Sequence, residues 1–267
     1  MNKRLALPIL MRYPLSVLKN GLRAAEEQLH RSRLKSRFGM EQLRTISLLD
    51  LFPDLSEDLN TYSFLHGTSL PSDLVLLKKL ARRFTACDYL EIGSWRGESL
   101  ANVADVAKTC TSVTLSDEEM RAMGFGEEFI AVHGIFSEEY SNIRTLRHNS
   151  RTFDFGTLGQ KYDLIFIDGD HSYEGVLNDT LKVMPLRKSV SSVVVWHDYG
   201  FNTEEVRHSV LHGILDGIPV EKHGNLYHVS NTMCAVYLEG WKQPVSTTRF
   251  PVKPDKKFGI RIRAERL

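Results

Sequence analysis

Two stretches of this 267-residue chain carry side chains that could do chemistry. In the first, Leu90-Glu91-Ile92-Gly93-Ser94-Trp95-Arg96-Gly97, glycines at both ends of a loop permit positive φ and let backbone approach a ligand closely. Glu91, two residues before Gly93, would repel a pyrophosphate and suits a cofactor that carries positive charge. In the second, an apolar run over 162–167 empties into Asp168-Gly169-Asp170-His171-Ser172-Tyr173-Glu174-Gly175, and another over 192–196 into His197-Asp198-Tyr199-Gly200. Ionisable groups are costly to bury unless paired or bound to an ion. Asp168, His171, His197 and Asp198 are therefore read as a functional cluster rather than as packing.

From Asp88 onward, short apolar runs alternate with helical stretches, the pattern of βαβ units and a mostly parallel sheet. Strands are expected at 89–92, 112–115, 143–146, 162–167, 192–196, 226–229 and 233–238. Only Ser230-Asn231-Thr232 separates the last two, too little for a crossover, so they must be antiparallel. Helices are expected over 98–108, where Leu100, Val103, Ala104 and Ala107 keep the helical period, and over 173–186, with Val176, Leu177, Leu181 and Met184. Ahead of the sheet, Leu15, Leu18, Leu22, Ala25 and Leu29 recur at three- and four-residue steps. Residues 14–38 thus read as an amphipathic helix with a basic polar face, entered through Pro14 and weakened by Gly21; it could lie on anionic lipid, on a partner or on its own core. Another helix is expected over 71–84, with Leu74, Leu77, Leu80 and Ala81 on one face. The predicted fold class is α/β: a Rossmann-like, seven-stranded, mostly parallel sheet with one antiparallel strand, helices on both faces and an N-terminal helical extension. The divisions are a basic extension at 1–66, a domain at 67–240 and a basic tail at 241–267. In such sheets ligands bind beyond the carboxyl ends of the strands, and both chemical stretches fall there.

Composition sets the outer limits. With 42% hydrophobic and 25% charged residues the chain is of ordinary globular type. Its net charge of +1 conceals +7 over residues 1–44, +6 over 242–267 and −12 between them. Basic ends on an acidic body suggest contact with an anionic surface, such as a membrane face, a glycan or an acidic subunit patch, or else solvated charge. Three cysteines, Cys87, Cys110 and Cys234, with no Cys-x-x-Cys spacing, fit neither a disulfide framework nor a zinc site, so a reducing, cytoplasmic location is expected. No apolar run reaches the roughly 18 residues that span a bilayer, and Leu5–Met11 lacks a signal-peptide cleavage pattern. Neither a Gly-x-Ser-x-Gly elbow, a Walker loop nor a Cys–His pair is present, which sets hydrolase and nucleotide triphosphatase chemistry aside. Nucleic acid is not an expected partner.

The segment Asp88–Gly97 resembles the first motif of class I S-adenosylmethionine (SAM)-dependent methyltransferases. The resemblance implies that Gly93, Ser94, Trp95 and Gly97 line the methionine part of SAM, and that Glu91 lies near its amino group or orients the loop. It implies an acid for the ribose hydroxyls after the second strand, where Asp117 stands, with a helix cap as the alternative role. An adenine contact is implied after the third strand, where Asn149 and Ser150 stand; an amide can both donate and accept. Ile167-Asp168-Gly169-Asp170-His171-Ser172-Tyr173 resembles the branch that includes macrocin-type and other small-molecule or sugar O-methyltransferases, across roughly 67–239. There the acid matching Asp168 binds a divalent ion beside the cofactor, and the histidine matching His171 is the candidate general base. Metal-dependent relatives carry two acids after the next strand, where this chain has His197-Asp198. Imidazole binds transition metals whereas Mg²⁺ prefers oxygen, so the expected ligands Asp168, His197 and Asp198 would hold Mg²⁺ or another divalent cation, or His197 serves as a second base or substrate contact. The implied activity is SAM-dependent methylation of a hydroxyl on a small molecule or a sugar or glycan. Two other readings stand beside it: a metal-dependent oxygenase related to cephalosporin hydroxylase, and a non-catalytic scaffold with basic ends. A homo-oligomer is compatible with all three.

Overall fold

The computed structural model describes residues 12–266; Leu5–Met11, considered above, falls outside them. Eight strands form one sheet: β1 (Arg44–Ile46), β2 (Asp88–Ile92), β3 (Thr109–Thr114), β4 (Ile143–Arg147), β5 (Leu164–Ile167), β6 (Val193–Trp196), β7 (Leu226–Val229) and β8 (Ala235–Tyr237). Across the sheet they run β1-β7-β8-β6-β5-β2-β3-β4. Every neighbouring pair is parallel except those that β8 makes with β6 and β7. The antiparallel strand is therefore β8, as the short link before it requires; in the structure that link is five residues long, 230–234, rather than three.

Eight helices accompany the sheet among the described residues: α1 (Pro14–Phe38), α2 (Leu48–Leu51), α3 (Pro71–Ala81), α4 (Glu98–Ala104), α5 (Asp117–Ala122), α6 (Glu127–Ile130), α7 (Tyr173–Val183) and α8 (His208–Gly217). The central strands are apolar at consecutive positions because both faces are covered. Leu90, Ile92, Ile165, Ile167, Val194 and Trp196 pack on one side with Val176 of α7 and Val210 and Ile214 of α8. Tyr89, Leu164, Phe166, Val193 and Val195 pack on the other with Leu76, Leu77 and Leu80 of α3 and Leu100 and Val103 of α4. Each such side chain stabilises the fold by about 1.5–3 kcal/mol relative to exposure.

Many element ends lie one to four residues from the pattern-based expectation, among them β3, which starts at Thr109 rather than 112, and α3 and α7, which end at Ala81 and Val183 rather than 84 and 186. Helix α4 stops at Ala104 rather than 108, because the chain turns there and the Lys108 N–H bonds back to the Cys87 carbonyl at 2.9 Å. The sheet also has an eighth strand. β1 comes from the segment before residue 67, and its three residues, Arg44-Thr45-Ile46, are too few to show an alternation. It pairs with β7 on one side, while reciprocal 2.8 Å bonds between Thr45 and Ser246 fasten the C-terminal segment to the other. Helix α1 docks through its last third, with His30 and Leu34 buried and Glu27 accepting the His208 N–H of α8 at 2.6 Å. None of the helices among the described residues is long and apolar enough to cross a membrane.

The chain moves outward from β2 to β3 and β4, then returns to β5 on the other side of β2 before moving on to β6. That reversal opens a crevice beyond the carboxyl ends of β2 and β5, the usual ligand position in an open parallel sheet.

Candidate active site

The loop after β2 meets the loop after β5 backbone to backbone. Gly93 has φ +79°, and a Cβ there would lie 2.3 Å from the Asp168 carbonyl oxygen; its N–H bonds the Val113 carbonyl at 2.9 Å. Gly97, at φ +90°, opens α4 with Ser137 so close that a Cβ would lie 2.7 Å from its Oγ. Only glycine tolerates both demands. Glu91 sits below the loop, fully buried, accepting Tyr89 Oη–H at 2.5 Å and Ser99 Oγ–H at 2.7 Å. Burial pushes its carboxyl up to about 8 against the lowering effect of those two hydroxyls. Its contacts tie the strand to the first turn of α4, which suits orientation of the loop. Ser94 Oγ accepts from Ser112 Oγ at 3.2 Å. Trp95 has φ +32°; its ring stacks on Phe129 at 4.9 Å and carries the Arg96 guanidinium 4.0 Å from its centroid, with Gly67 against its edge. Its indole packs the 60s segment onto the loop.

Asp117 is the first residue of α5, and Ser116 is the cap: its Oγ accepts Glu119 N–H at 3.2 Å while the Glu119 carboxylate accepts Ser116 N–H at 2.9 Å. The Asp117 carboxylate is thus exposed and released from a capping role. Glu119 also accepts the Asn149 N–H at 3.0 Å, fixing the end of β4 beside the end of β3. Asn149 Oδ1 accepts from Arg151 N–H, leaving the amide Nδ2 as a donor for a ligand. Behind Ser150, Asp179 of α7 is buried; its Oδ2 has no partner and lies 3.2 Å from the position of a Cβ on Gly169. An exposed carboxylate, an amide donor and a glycine loop are the kinds of acceptor, donor and backbone group that a charged nucleoside cofactor such as SAM would use.

At the ends of β5 and β6 the ionisable cluster closes up. His197 Nδ1 lies 3.0 Å from Asp168 Oδ1 and 3.4 Å from Asp198 Oδ2, and its Nε2 lies 3.2 Å from Asp73 Oδ2. His171 Nδ1 lies 3.0 Å from Asp198 Oδ2, and Arg207 Nη2 lies 3.4 Å from Asp198 Oδ1. Consecutive residues in a strand point to opposite faces; His197 and Asp198 share one point because Asp198 takes φ +54°, a left-handed conformation that Asp accepts at modest cost. Burial disfavours the His197 cation, yet the carboxylates of Asp168, Asp198 and Asp73 raise its pKa well above the ordinary value. His171 is raised too: burial opposes the cation, and Asp198 outweighs it. Burial works in the opposite direction on Asp198, whose two imidazole neighbours hold it well below the usual carboxylate range.

Asp73 and Arg207 escape sequence reasoning. Asp73 looks like an ordinary acid in the first turn of α3, and it does accept the Leu70 N–H there at 2.9 Å. It is nevertheless fully buried, and also accepts the Met233 N–H at 2.8 Å from a loop 160 residues away.

Asp168, His197 and Asp198 each offer a ligand atom within 4.8 Å of one another, the arrangement that could hold a cation. His197 Nδ1 makes no properly aligned hydrogen bond although it is buried between two carboxylates. With Nε2 engaged by Asp73, an Nδ1 lone pair facing two carboxylates is the carboxylate–histidine–metal pattern. The residues therefore fit a divalent ion, and one nitrogen with two oxygens suits a transition metal better than Mg²⁺. Proton and metal would compete for the same nitrogen.

Residues 90–199, about two fifths of the chain, match a family profile described as a methyltransferase domain. The match begins within β2 and ends just past Asp198; of the side chains placed around the site above it leaves out Asp73, Tyr89 and Arg207. Over this stretch the chain is similar to methyltransferase domains, in keeping with the resemblance of the motif at Leu90–Gly97. Among solved structures, YcgJ of Bacillus subtilis is 17% identical over 47% of this chain and 49% of its own, with a TM-score of 0.34. CalS11, described as a TDP-rhamnose 3'-O-methyltransferase of calicheamicin biosynthesis, is 14% identical over 63% of this chain and 80% of its own, with a TM-score of 0.44. CalS10, a SAM-bound amino pentose methyltransferase from Micromonospora echinaspora, is 15% identical over 53% and 58%, with a TM-score of 0.36. The chain thus spans about half the length of the first of these, and each is a likeness at low identity. No curated protein matches the chain in sequence.

Proposed function

We propose that this chain methylates a hydroxyl group of a small molecule or of a sugar or glycan, with SAM as donor, in a reducing, cytoplasmic compartment where Cys87, Cys110 and Cys234 stay free and buried. The observation that supports this reading best is the close meeting of the Gly93 loop with the Asp168 backbone, three residues before His171 and its 3.0 Å contact with Asp198, within the stretch similar to methyltransferase domains. Bound SAM would supply the methyl group, which leaves sulfur as carbon bonds the acceptor oxygen.

The chain's own part is binding and proton management. Asp117 accepts from the ribose hydroxyls, Asn149 reads the adenine edge, and the Gly93 loop brings backbone against the methionine portion. His171 donates Nδ1–H to Asp198, which fixes the tautomer and leaves Nε2 to take the acceptor's proton. A divalent ion held by Asp168, His197 and Asp198 would supply a Lewis acid that lowers the acceptor's pKa. Positioning of the two reactants accounts for much of the remaining acceleration.

Calorimetry with SAM and with S-adenosylhomocysteine tests the reading directly: saturable heat is expected for both, and none for either removes the methyltransferase assignment. A panel of sugar and phenolic hydroxyl acceptors, followed by release of demethylated cofactor, then tests the substrate class. The one-nitrogen, two-oxygen donor set also favours a second reading, a metal-dependent oxygenase. Oxygen uptake with Fe²⁺ and 2-oxoglutarate, without SAM binding, would put that reading in its place.

A further inference from the structure

Helix α1 has two working faces. One bears Glu27, His30, Leu34 and Phe38 and docks on α8 and its surroundings. The other bears Leu15, Leu18, Leu22 and Leu29, which are 79%, 59%, 62% and 49% exposed, together with exposed Ala25. At about 100° per residue these five fall within an arc of roughly 80°, centred about 140° away from the docked face. Among the described residues nothing covers them.

We propose that this stripe is the seam of a short antiparallel coiled coil between α1 helices of two copies of the chain. The spacing of three, four, three and four residues is the repeat of a two-helix seam, narrower than the apolar face that a helix lying on lipid presents. Charge selects the orientation. An antiparallel register that sets Leu22 against Ala25 of the second copy, and Leu18 against Leu29, brings Lys19 beside Glu26 of the second copy. Two-fold symmetry makes that pair twice. A parallel pairing would instead place Gly21 beside Glu26 and Gln28 beside Arg33, with no opposite charges. Ala25 is small enough for the two helices to approach closely at its layer. Because the last third of α1 is fixed to the body by Glu27, His30 and Leu34, the exposed part, about 24 Å over residues 14–29, is a rigid projection ready to pair.

Sedimentation equilibrium on the full chain between about 1 and 100 μM reads the proposal. A mass of twice 30.5 kDa is expected. Leu18→Glu with Leu22→Glu should give monomer with the thermal midpoint of the body unchanged, since both side chains are exposed. Lys19→Glu and Glu26→Lys should each raise the dissociation constant about 3-fold or more, and the double exchange should recover most of it, because opposite charges face again. A chain monomeric at 100 μM, or a dimer indifferent to Leu18→Glu/Leu22→Glu, overturns the proposal. Loss without recovery in the double exchange overturns the antiparallel register. Monomer that binds vesicles rich in phosphatidylserine through Leu18 and Leu22 assigns the stripe to lipid and overturns it equally.

Discussion

His197 is held at both ring nitrogens, by Asp73 on one side and by Asp168 and Asp198 on the other. If the cluster holds a metal, as proposed, Asp73 would orient His197 toward it. Asp73→Asn should lower affinity for Co²⁺, followed by its visible absorption in competition with a chelator, by about 10- to 100-fold. An unchanged affinity would show that His197 is not oriented through this carboxylate. His171→Ala should reduce turnover on an accepted substrate by about 10²- to 10⁴-fold while the affinity for SAM, measured by calorimetry, stays within two-fold. Full turnover would remove His171 as the base. Both chemical stretches were legible as motifs because their residues are contiguous: Gly93 and Gly97 in one loop, Asp168 and His171 in another, His197 and Asp198 side by side. Asp73 was not, because its partners His197 and Met233 are 124 and 160 residues away and nothing local separates it from a helix-starting acid.

Among elements, the β2 and β5 loops are the joint on which the site depends. Gly93→Ala forces an L side chain into φ +79° and drives its Cβ against the Asp168 carbonyl. We expect a loss of about 2–4 kcal/mol in urea unfolding and a fall in SAM affinity that exceeds it in proportion, because the carbonyl belongs to the site. The strands of this joint were readable from their continuous apolar runs, which both-sided burial demands. β1 was not, since a three-residue edge strand containing Arg44 and Thr45 leaves no periodic trace and is defined by its neighbours β7 and Ser246. The role of α1 was only half readable. Its leucine spacing gave the helix, but only the structure shows that those leucines face outward while His30 and Leu34 face in.

At the scale of the molecule, α1 is fastened to the body by an acid. Burial raises the Glu27 pKa, but the bonds from His208 and Ser209 outweigh it and hold the carboxyl at about 2 against 4.5 when free. A depressed carboxyl contributes stability that is full above about pH 4.5 and is lost as pH falls toward 2. Urea midpoints of the wild type and Glu27→Gln should therefore differ by the equivalent of about 1–2 kcal/mol at pH 6, solvent screening of this partly exposed carboxylate included, and converge as pH falls to about 2. A gap that persists at pH 2 would mean that Glu27 acts through packing alone.

The clasp of Thr45 between β7 and Ser246 joins segments separated by 200 residues of chain. Mechanically, neither the stretch around Arg44–Ile46 nor that around Ser246 is an appendage. Deleting residues up to 66 would bare the β7 backbone as an open template for other chains, and deleting from 241 would strip the partner that covers β1. The smallest piece that can melt as one cooperative unit is therefore larger than the crevice needs, running from before Arg44 to beyond Ser246.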